Sequence, residues 1–227
     1  MKLITFAGPP SSGKTSVLLK LINEINHTSK KAGVIKFDCL YANEAKEFEK
    51  IGVPVKIGLS GGICPDHFFV SNIQGGIEWG IKQRLDFLFT ESAGLCNRCS
   101  PHIKNILAVC VIDNLMGMET PKKIGPMLRM ADIVVITKSD IVSQAEREVF
   151  AFRVMQANIK AKLLFVNGIS GQGSNELLSL VSEAIDTITL DGSRLRFSMP
   201  AALCSYCLGE TKVGSEYQVG NIKKIDF

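Results

Sequence analysis

Leu3-Ile4-Thr5-Phe6-Ala7-Gly8-Pro9-Pro10-Ser11-Ser12-Gly13-Lys14-Thr15 is an apolar run that breaks into a glycine-bounded loop. A helical pattern follows from Ser16 to Asn26. The loop fits G-x-x-x-x-G-K-[ST] in full, and the strand before it and the helix after it supply the context the pattern needs. Each residue type has a physical task. The glycines let backbone N–H groups turn inward around a β-phosphate. The helix N-terminus adds positive potential. Lys14 reaches the β- and γ-phosphates, and the Thr15 hydroxyl is the expected Mg²⁺ ligand. Gly8, Pro9, Pro10, Ser11, Ser12, Gly13, Lys14, Thr15 and Ser16 are therefore the expected phosphate-binding set.

Outward from this loop, apolar runs alternate with helical patterns. Strands are expected at 33–37, 86–90, 106–113, 133–137 and 163–166, and helices at 44–51, 144–156 and 175–188. Continuous Val/Ile/Leu strands separated by helices imply a mostly parallel sheet covered on both faces. The expected fold class is α/β, doubly wound. Composition shifts near Asp191, where the chain turns polar and weakly periodic and carries Cys204-Ser205-Tyr206-Cys207. Residues 1–190 thus read as one nucleotide-binding domain and 191–227 as a short Cys-containing C-terminal extension.

Composition narrows the function classes. The chain has 227 residues, 46% hydrophobic and 21% charged, an ordinary globular balance that excludes wholesale disorder. A net charge of +4 and 7% aromatic residues give neither the basic field nor the stacking platforms of a nucleic-acid binder. The longest apolar run, Ile106 to Ile112, is far short of the roughly 20 residues of a membrane span. A cytosolic protein is expected. Four of seven cysteines form two Cys-x-x-Cys pairs, a spacing that in a reducing compartment suggests metal or redox chemistry more than structural disulfides.

The strand at 133–137 ends in Thr137-Lys138-Ser139-Asp140. A carboxylate at Asp140 can accept two hydrogen bonds from guanine N1 and N2 and leaves the adenine edge unmatched. The Lys138 stem can lie over the base. The other reading of Asp140 is a helix N-cap. The stretch resembles the guanine-reading N-K-x-D motif, with Thr137 at its first position.

Several stretches then align in order with one family. They are Gly8-Pro9 with Ser12-Gly13-Lys14-Thr15; Phe37-Asp38-Cys39-Leu40-Tyr41; Gly61-Gly62-Ile63-Cys64-Pro65-Asp66-His67; Glu91-Ser92-Ala93-Gly94; Val111-Ile112-Asp113; Lys123-Ile124-Gly125-Pro126; and Thr137-Lys138-Ser139-Asp140. The chain resembles the SIMIBI-class P-loop GTPases of the CobW/HypB/UreG metal-insertion type, closest to the urease and hydrogenase nickel accessory branch. The resemblance implies a GTPase that binds GTP and Mg²⁺, dimerises around nucleotide and metal, and loads a metal into a client metalloenzyme or its accessory proteins. It implies that Asp38 contacts Mg²⁺ or the attacking water, that Glu91 is an acidic Mg²⁺-side residue, and that the Gly94 N–H senses the γ-phosphate. Lys14, Asp38 and Glu91 are the expected catalytic set. Position agrees, because ligands of open parallel sheets sit at the carboxyl ends of strands. A turn cap at Asp38 and a solvated strand end at Glu91 are the structural alternatives.

Cys64-Pro65-Asp66-His67 stands where urease-type members carry Cys-Pro-His, with one Asp inserted. The family motif implies one thiolate and one imidazole from each of two subunits, a donor set that suits Ni²⁺ or Zn²⁺. Cys96-Asn97-Arg98-Cys99 follows Glu91-Ser92-Ala93-Gly94 after one residue, Leu95, so its thiolates stand beside the segment that the resemblance implies senses the γ-phosphate. Two thiolates at this spacing can grip one metal. Completed by Cys204 and Cys207, or by a dimer mate, they would admit Zn²⁺ or an iron–sulfur cluster. Redox-sensitive or unpaired thiols are the alternative. Cys110, inside an apolar strand, is expected in the core.

The leading expectation is a GTP-hydrolysing maturation factor whose nucleotide-gated dimer delivers a metal or metallocofactor. The alternative is a zinc or iron–sulfur carrier or redox sensor in which hydrolysis is incidental. A small-molecule kinase would need a lid with several arginines, and the arginines here are scattered.

Overall fold

A computed structural model describes residues 1–96, 99–197 and 208–227. The sheet strands are β1 (Lys2–Ala7), β2 (Ala32–Asp38), β3 (Val55–Leu59), β4 (Phe87–Ser92), β5 (Leu107–Asp113), β6 (Ile133–Thr137) and β7 (Lys162–Phe165). They form one sheet in the order β3-β2-β4-β1-β5-β6-β7, and every pairing is parallel. The chain leaves β1 toward one edge and reaches the other edge only after β4. That reversal opens a crevice at the carboxyl end of β1, between β4 and β5.

The α-helices are α1 (Lys14–Asn26), α2 (Ala45–Lys50), α3 (Pro65–Lys82), α4 (Thr120–Lys123), α5 (Pro126–Arg129), α6 (Gln144–Ala157) and α7 (Ser174–Ser182). Both faces of the sheet are dry. On one, Val17, Leu18, Leu21 and Ile22 of α1 pack with Leu177 and Val181 of α7 over Ile4, Phe6, Val109 and Val135. On the other, Phe68, Phe69 and Ile73 of α3 cover Ile35 and Phe37, while Phe150 and Val154 of α6 cover Val134 and Ile136. Burial on both faces explains why these strands read as continuous apolar runs. The α/β, doubly wound expectation agrees with this architecture.

Four elements escaped the sequence reading: α3, β3 and the four-residue helices α4 and α5. α3 carries Gly75, Gly76 and Gly80, residues that depress helix propensity by about 1 kcal/mol each. Packing supplies the reason for them: a Cβ at Gly76 would lie 2.5 Å from Ile35 Cδ1, and one at Gly80 2.5 Å from Met1 Sδ. The helix lies too close to the sheet for side chains there. β3 is a short edge strand whose residues are only partly buried, so its pattern is weak. The helix expected to run to residue 188 stops at Ser182, because the following chain turns to pair Asp186 with Lys2 and with the N-terminal ammonium.

The C-terminal stretch closes back on the domain. Arg196 forks onto Asp132, through Nη1 to Oδ1 at 2.8 Å and Nη2 to Oδ2 at 2.7 Å, and also donates to the carbonyls of Ile103, Ile106 and Met130. Such a bidentate, charge-assisted pair fixes the orientation of both partners. Ile225 and Phe227 pack against the α3 side of the sheet, and Asn72 of α3 bonds the backbone of Lys223 and Ile225.

Candidate nucleotide site

The loop between β1 and α1 wraps the crevice, with Gly13 at φ +89° as the residue before the helix. Gly94 sits directly on this loop. A Cβ there would lie 1.7 Å from the Gly8 carbonyl oxygen, so only glycine lets the segment after β4 approach so closely. Gly94 is buried against the loop, and its neighbours Ala93 and Leu95 line the cavity over it. Lys14 is buried and folds back, its Nζ donating to the carbonyls of Gly8 at 2.9 Å and Pro9 at 2.8 Å. Burial lowers its pKa, the Glu91 charge opposes that shift, and Lys36 adds to it.

A cavity of about 470 Å³ opens over the loop, lined by Lys14, Thr15, Lys36, Asp38, Glu44, Glu91 and Lys138 among others. At its floor Thr15 Oγ1 donates to Glu91 Oε1 at 2.7 Å. Glu91 is buried, which overturns the solvated strand end as its structural alternative. Its Oε2 is buried with no hydrogen-bond partner among the described residues. A hydroxyl oxygen beside an unspent carboxylate oxygen is the hard donor set that suits Mg²⁺. Thr15 and Glu91 are the residues that fit the ion. Asp38 ends β2 at the cavity wall, its Oδ1 accepting from the Cys39 N–H at 2.8 Å.

Lys36 was absent from the expected site, yet its Nζ donates to Glu91 Oε1 at 2.8 Å and to Thr15 Oγ1 at 3.1 Å. The sequence held one signal for it. A lysine inside the apolar run Gly33-Val34-Ile35-Lys36-Phe37 of a covered strand requires a buried charged partner.

The base-side residues are joined to the same loop. Thr137 Oγ1 donates to the Ser12 carbonyl at 2.7 Å. Lys138, at φ +56°, spans the Ser11 carbonyl at 3.0 Å and Asp113 Oδ2 at 2.9 Å. Asp140 is exposed and lines an adjoining cavity of about 550 Å³ with Ser139, Arg147, Phe165 and Asn167. The Arg147 guanidinium lies 3.9 Å from the Phe165 ring centroid, within cation–π distance. Asp140 does not cap the following helix. Ser143 does, in a reciprocal capping box with Glu146, which leaves the Asp140 carboxylate for another task.

The cysteines divide. Cys110 is fully buried, as expected of core. Cys64 is the residue before α3, with Pro65 at its first position. Around Cys99 lie Cys96, which hydrogen-bonds it, Cys64 and Asp66; burial first and then these neighbours push its thiol pKa up. Burial pushes Asp66 up to about 6. His67 lies in the first turn of α3, buried, with the Asn221 backbone of the C-terminal stretch beside its ring; burial lowers its pKa and the Asn221 backbone opposes that shift. The inserted Asp thus lies among the thiols, one helical position before the histidine. Cys204 and Cys207 lie outside the described residues. Among the described residues no group of three or more His, Cys, Asp or Glu side chains is set to hold a metal ion.

His102, just beyond Cys99, belongs to the core. Its Nε2 donates to the Met127 carbonyl at 3.1 Å, which leaves Nδ1 to accept from Thr5 Oγ1 at 2.9 Å. Burial, reinforced by the Arg196 charge, lowers its pKa to about 4.

Among the described residues no helix is long and apolar enough to cross a membrane. The profile of the CobW/HypB/UreG nucleotide-binding domain matches residues 2–165. An uncharacterized protein of Methanocaldococcus jannaschii is 45% identical over 226 residues, covering 100% of this chain and 97% of its own. Urease accessory protein UreG 2 of Methylorubrum extorquens is 31% identical over 199 residues, covering 80% of this chain and 92% of its own. The crystal structure of HypB from Helicobacter pylori, in complex with nickel, superposes with a TM-score of 0.61 at 18% identity, over 81% of this chain and 86% of that one. The phosphate loop, the Thr15–Glu91 pair and the all-parallel sheet that carries them accord with these matches: the chain belongs to the CobW/HypB/UreG family, and residues 2–165 are its nucleotide-binding domain.

Proposed function

We propose that this chain binds and hydrolyses GTP and that its nucleotide state controls the uptake and release of a transition metal destined for a client metalloenzyme or its accessory proteins. The observation that carries the reading is the continuity of one segment. Gly94 lies against the Gly8 carbonyl, and the same segment runs on to Cys96 and Cys99, whose neighbours are Cys64 and Asp66. A shift of that segment on meeting a γ-phosphate moves the thiols relative to the start of α3. Order changes of this kind are the usual output of a γ-phosphate contact.

Each residue then has a role. The loop N–H groups and Lys14 neutralise and orient the phosphates, once Lys14 exchanges two carbonyls for anionic oxygens. Thr15 and Glu91 would hold Mg²⁺, which would supply positive charge against the phosphates. Asp38 accepts a hydrogen bond from the attacking water and holds it in line with the γ-phosphorus. Asp140 accepts from guanine N1 and N2, with the Lys138 stem against the ring. Cys64, Cys96 and Cys99 are the proposed soft ligands, with His67 and the Cys204/Cys207 pair as further candidates. Ni²⁺ and Zn²⁺ match a thiolate-rich donor set, as does an iron–sulfur cluster. A nucleotide-dependent homodimer in the cytosol completes the proposal.

The test is metal and sulfide content of anaerobically purified protein, with mass in solution, with and without a non-hydrolysable GTP analogue. Metal that changes with the analogue, and that falls in Cys96→Ser/Cys99→Ser, supports the reading. Metal absent in both states refutes the delivery role and leaves a nucleotide switch.

A further inference from the structure

The nucleotide crevice already contains a cation of its own. Lys36 sits on β2 with its side chain 5% exposed, against a Glu91 side chain 4% exposed. Its ammonium donates to Glu91 Oε1 and to Thr15 Oγ1. The Thr15 hydroxyl spends its only hydrogen on Glu91, so the lone pair that faces Lys36 is one a metal ion would need. Glu91 Oε2 is buried and unpartnered among the described residues. Lys36 and a divalent ion therefore draw on the same two side chains and repel each other. A second acceptor lies beside the lysine: Glu44 Oε2 is 3.7 Å from Nζ, on a side chain 60% exposed.

We infer that Lys36 is a resident cation that holds the Thr15–Glu91 pair in the nucleotide-free protein, and that it swings to Glu44 when Mg²⁺ enters with the nucleotide. This rests on the reading that Thr15 and Glu91 hold Mg²⁺. The arrangement has two consequences. The buried Glu91 carboxylate is never left without a positive partner, a state that is costly in a dry site. Glu44 immediately precedes α2 and follows the segment that begins with Asp38 and Cys39, so displacement of Lys36 ties the arrival of Mg²⁺ to the position of that segment. Lys36 is a positioning residue in this scheme and touches no reacting atom.

The experiment is a Mg²⁺ titration of the full chain at fixed concentration of a fluorescent non-hydrolysable GTP analogue, read by nucleotide fluorescence. Wild type must first bind the analogue with Mg²⁺; if it does not, the Mg²⁺ reading itself fails. In Lys36→Met the half-saturating Mg²⁺ is expected to fall about tenfold, while affinity for the analogue at saturating Mg²⁺ stays within about threefold. In Glu44→Gln the lysine loses the negative charge of its alternative partner, and half-saturating Mg²⁺ is expected to rise about threefold. Thermal melting reports whether each variant is folded, and the exposed position of Glu44 keeps the test alive if the buried substitution unfolds the chain. An unchanged or raised Mg²⁺ midpoint in folded Lys36→Met overturns the inference. So does a large loss of analogue affinity at saturating Mg²⁺, which makes Lys36 a phosphate ligand. An unchanged midpoint in Glu44→Gln also overturns the swing to that residue.

Discussion

Thr137 at the end of β6 donates its hydroxyl hydrogen to the Ser12 carbonyl at 2.7 Å, across 125 residues of sequence. The strand end that carries Lys138 and Asp140 is thereby pinned to the loop that carries Lys14. On the proposed reading, base and phosphates of one nucleotide meet two segments held at a fixed separation. Thr137→Val keeps the shape and removes the bond, leaving a buried carbonyl unmatched. Nucleotide affinity is expected to fall about five- to tenfold, the equivalent of one buried hydrogen bond, with base preference unchanged. Titration of a fluorescent GTP analogue measures it, and Thr137→Ser should recover most of the loss.

Lys14→Ala removes the cation meant for the phosphates, and GTP affinity is expected to fall by more than about a hundredfold. Stability is expected to respond differently. The ammonium is buried against the Gly8 and Pro9 carbonyls, and relief of its desolvation offsets the two acceptors its loss leaves without a donor. A melting temperature kept or raised, with nucleotide binding lost, is the expected pair of results. Calorimetric titration alongside thermal melting checks both, and micromolar GTP binding in the variant would refute the assignment.

Asp140 is exposed, and helix capping belongs to Ser143. Asp140→Asn should therefore leave melting unchanged and reduce the preference for GTP over ATP by about ten- to a hundredfold, since one acceptor becomes a donor facing guanine N1. Competition between the two nucleotides at equilibrium gives the ratio directly. A lowered melting temperature with an intact ratio would return Asp140 to a structural role.

His102 sets a pH dependence of folding. Its pKa is about 4 in the folded chain and about 6.5 unfolded, so between those values the unfolded state holds more protons. Stability from this group is complete above about pH 6.5 and is lost as pH falls toward 4, about 3 kcal/mol in all. Denaturant unfolding at steps from pH 7.5 to 4 should show that slope. His102→Gln should be less stable at pH 7.5, having lost a fitted pair of bonds to Thr5 and Met127, and should show a flatter slope.

The amino-acid order alone determined the fold class and the nucleotide loop. Continuous apolar strands between helices have few solutions other than a covered parallel sheet, and the loop from Gly8 to Thr15 is a contiguous chain of local requirements. What is local in chemistry is local in sequence. α3 was not legible, because Gly75, Gly76 and Gly80 weaken its helical signal and are justified only by Ile35, Met1 and Phe227, which tertiary packing brings against them. Lys36 was not legible as a site residue, since the partners that make a buried ammonium tolerable, Thr15 and Glu91, lie 21 and 55 positions away. The closeness of Asp66 to Cys99, and of His67 to the Asn221 backbone, likewise depended on the start of α3 meeting two distant segments. Charges and ligands are satisfied through space, so which carboxylate meets which cation or thiol was decided only when the sheet closed.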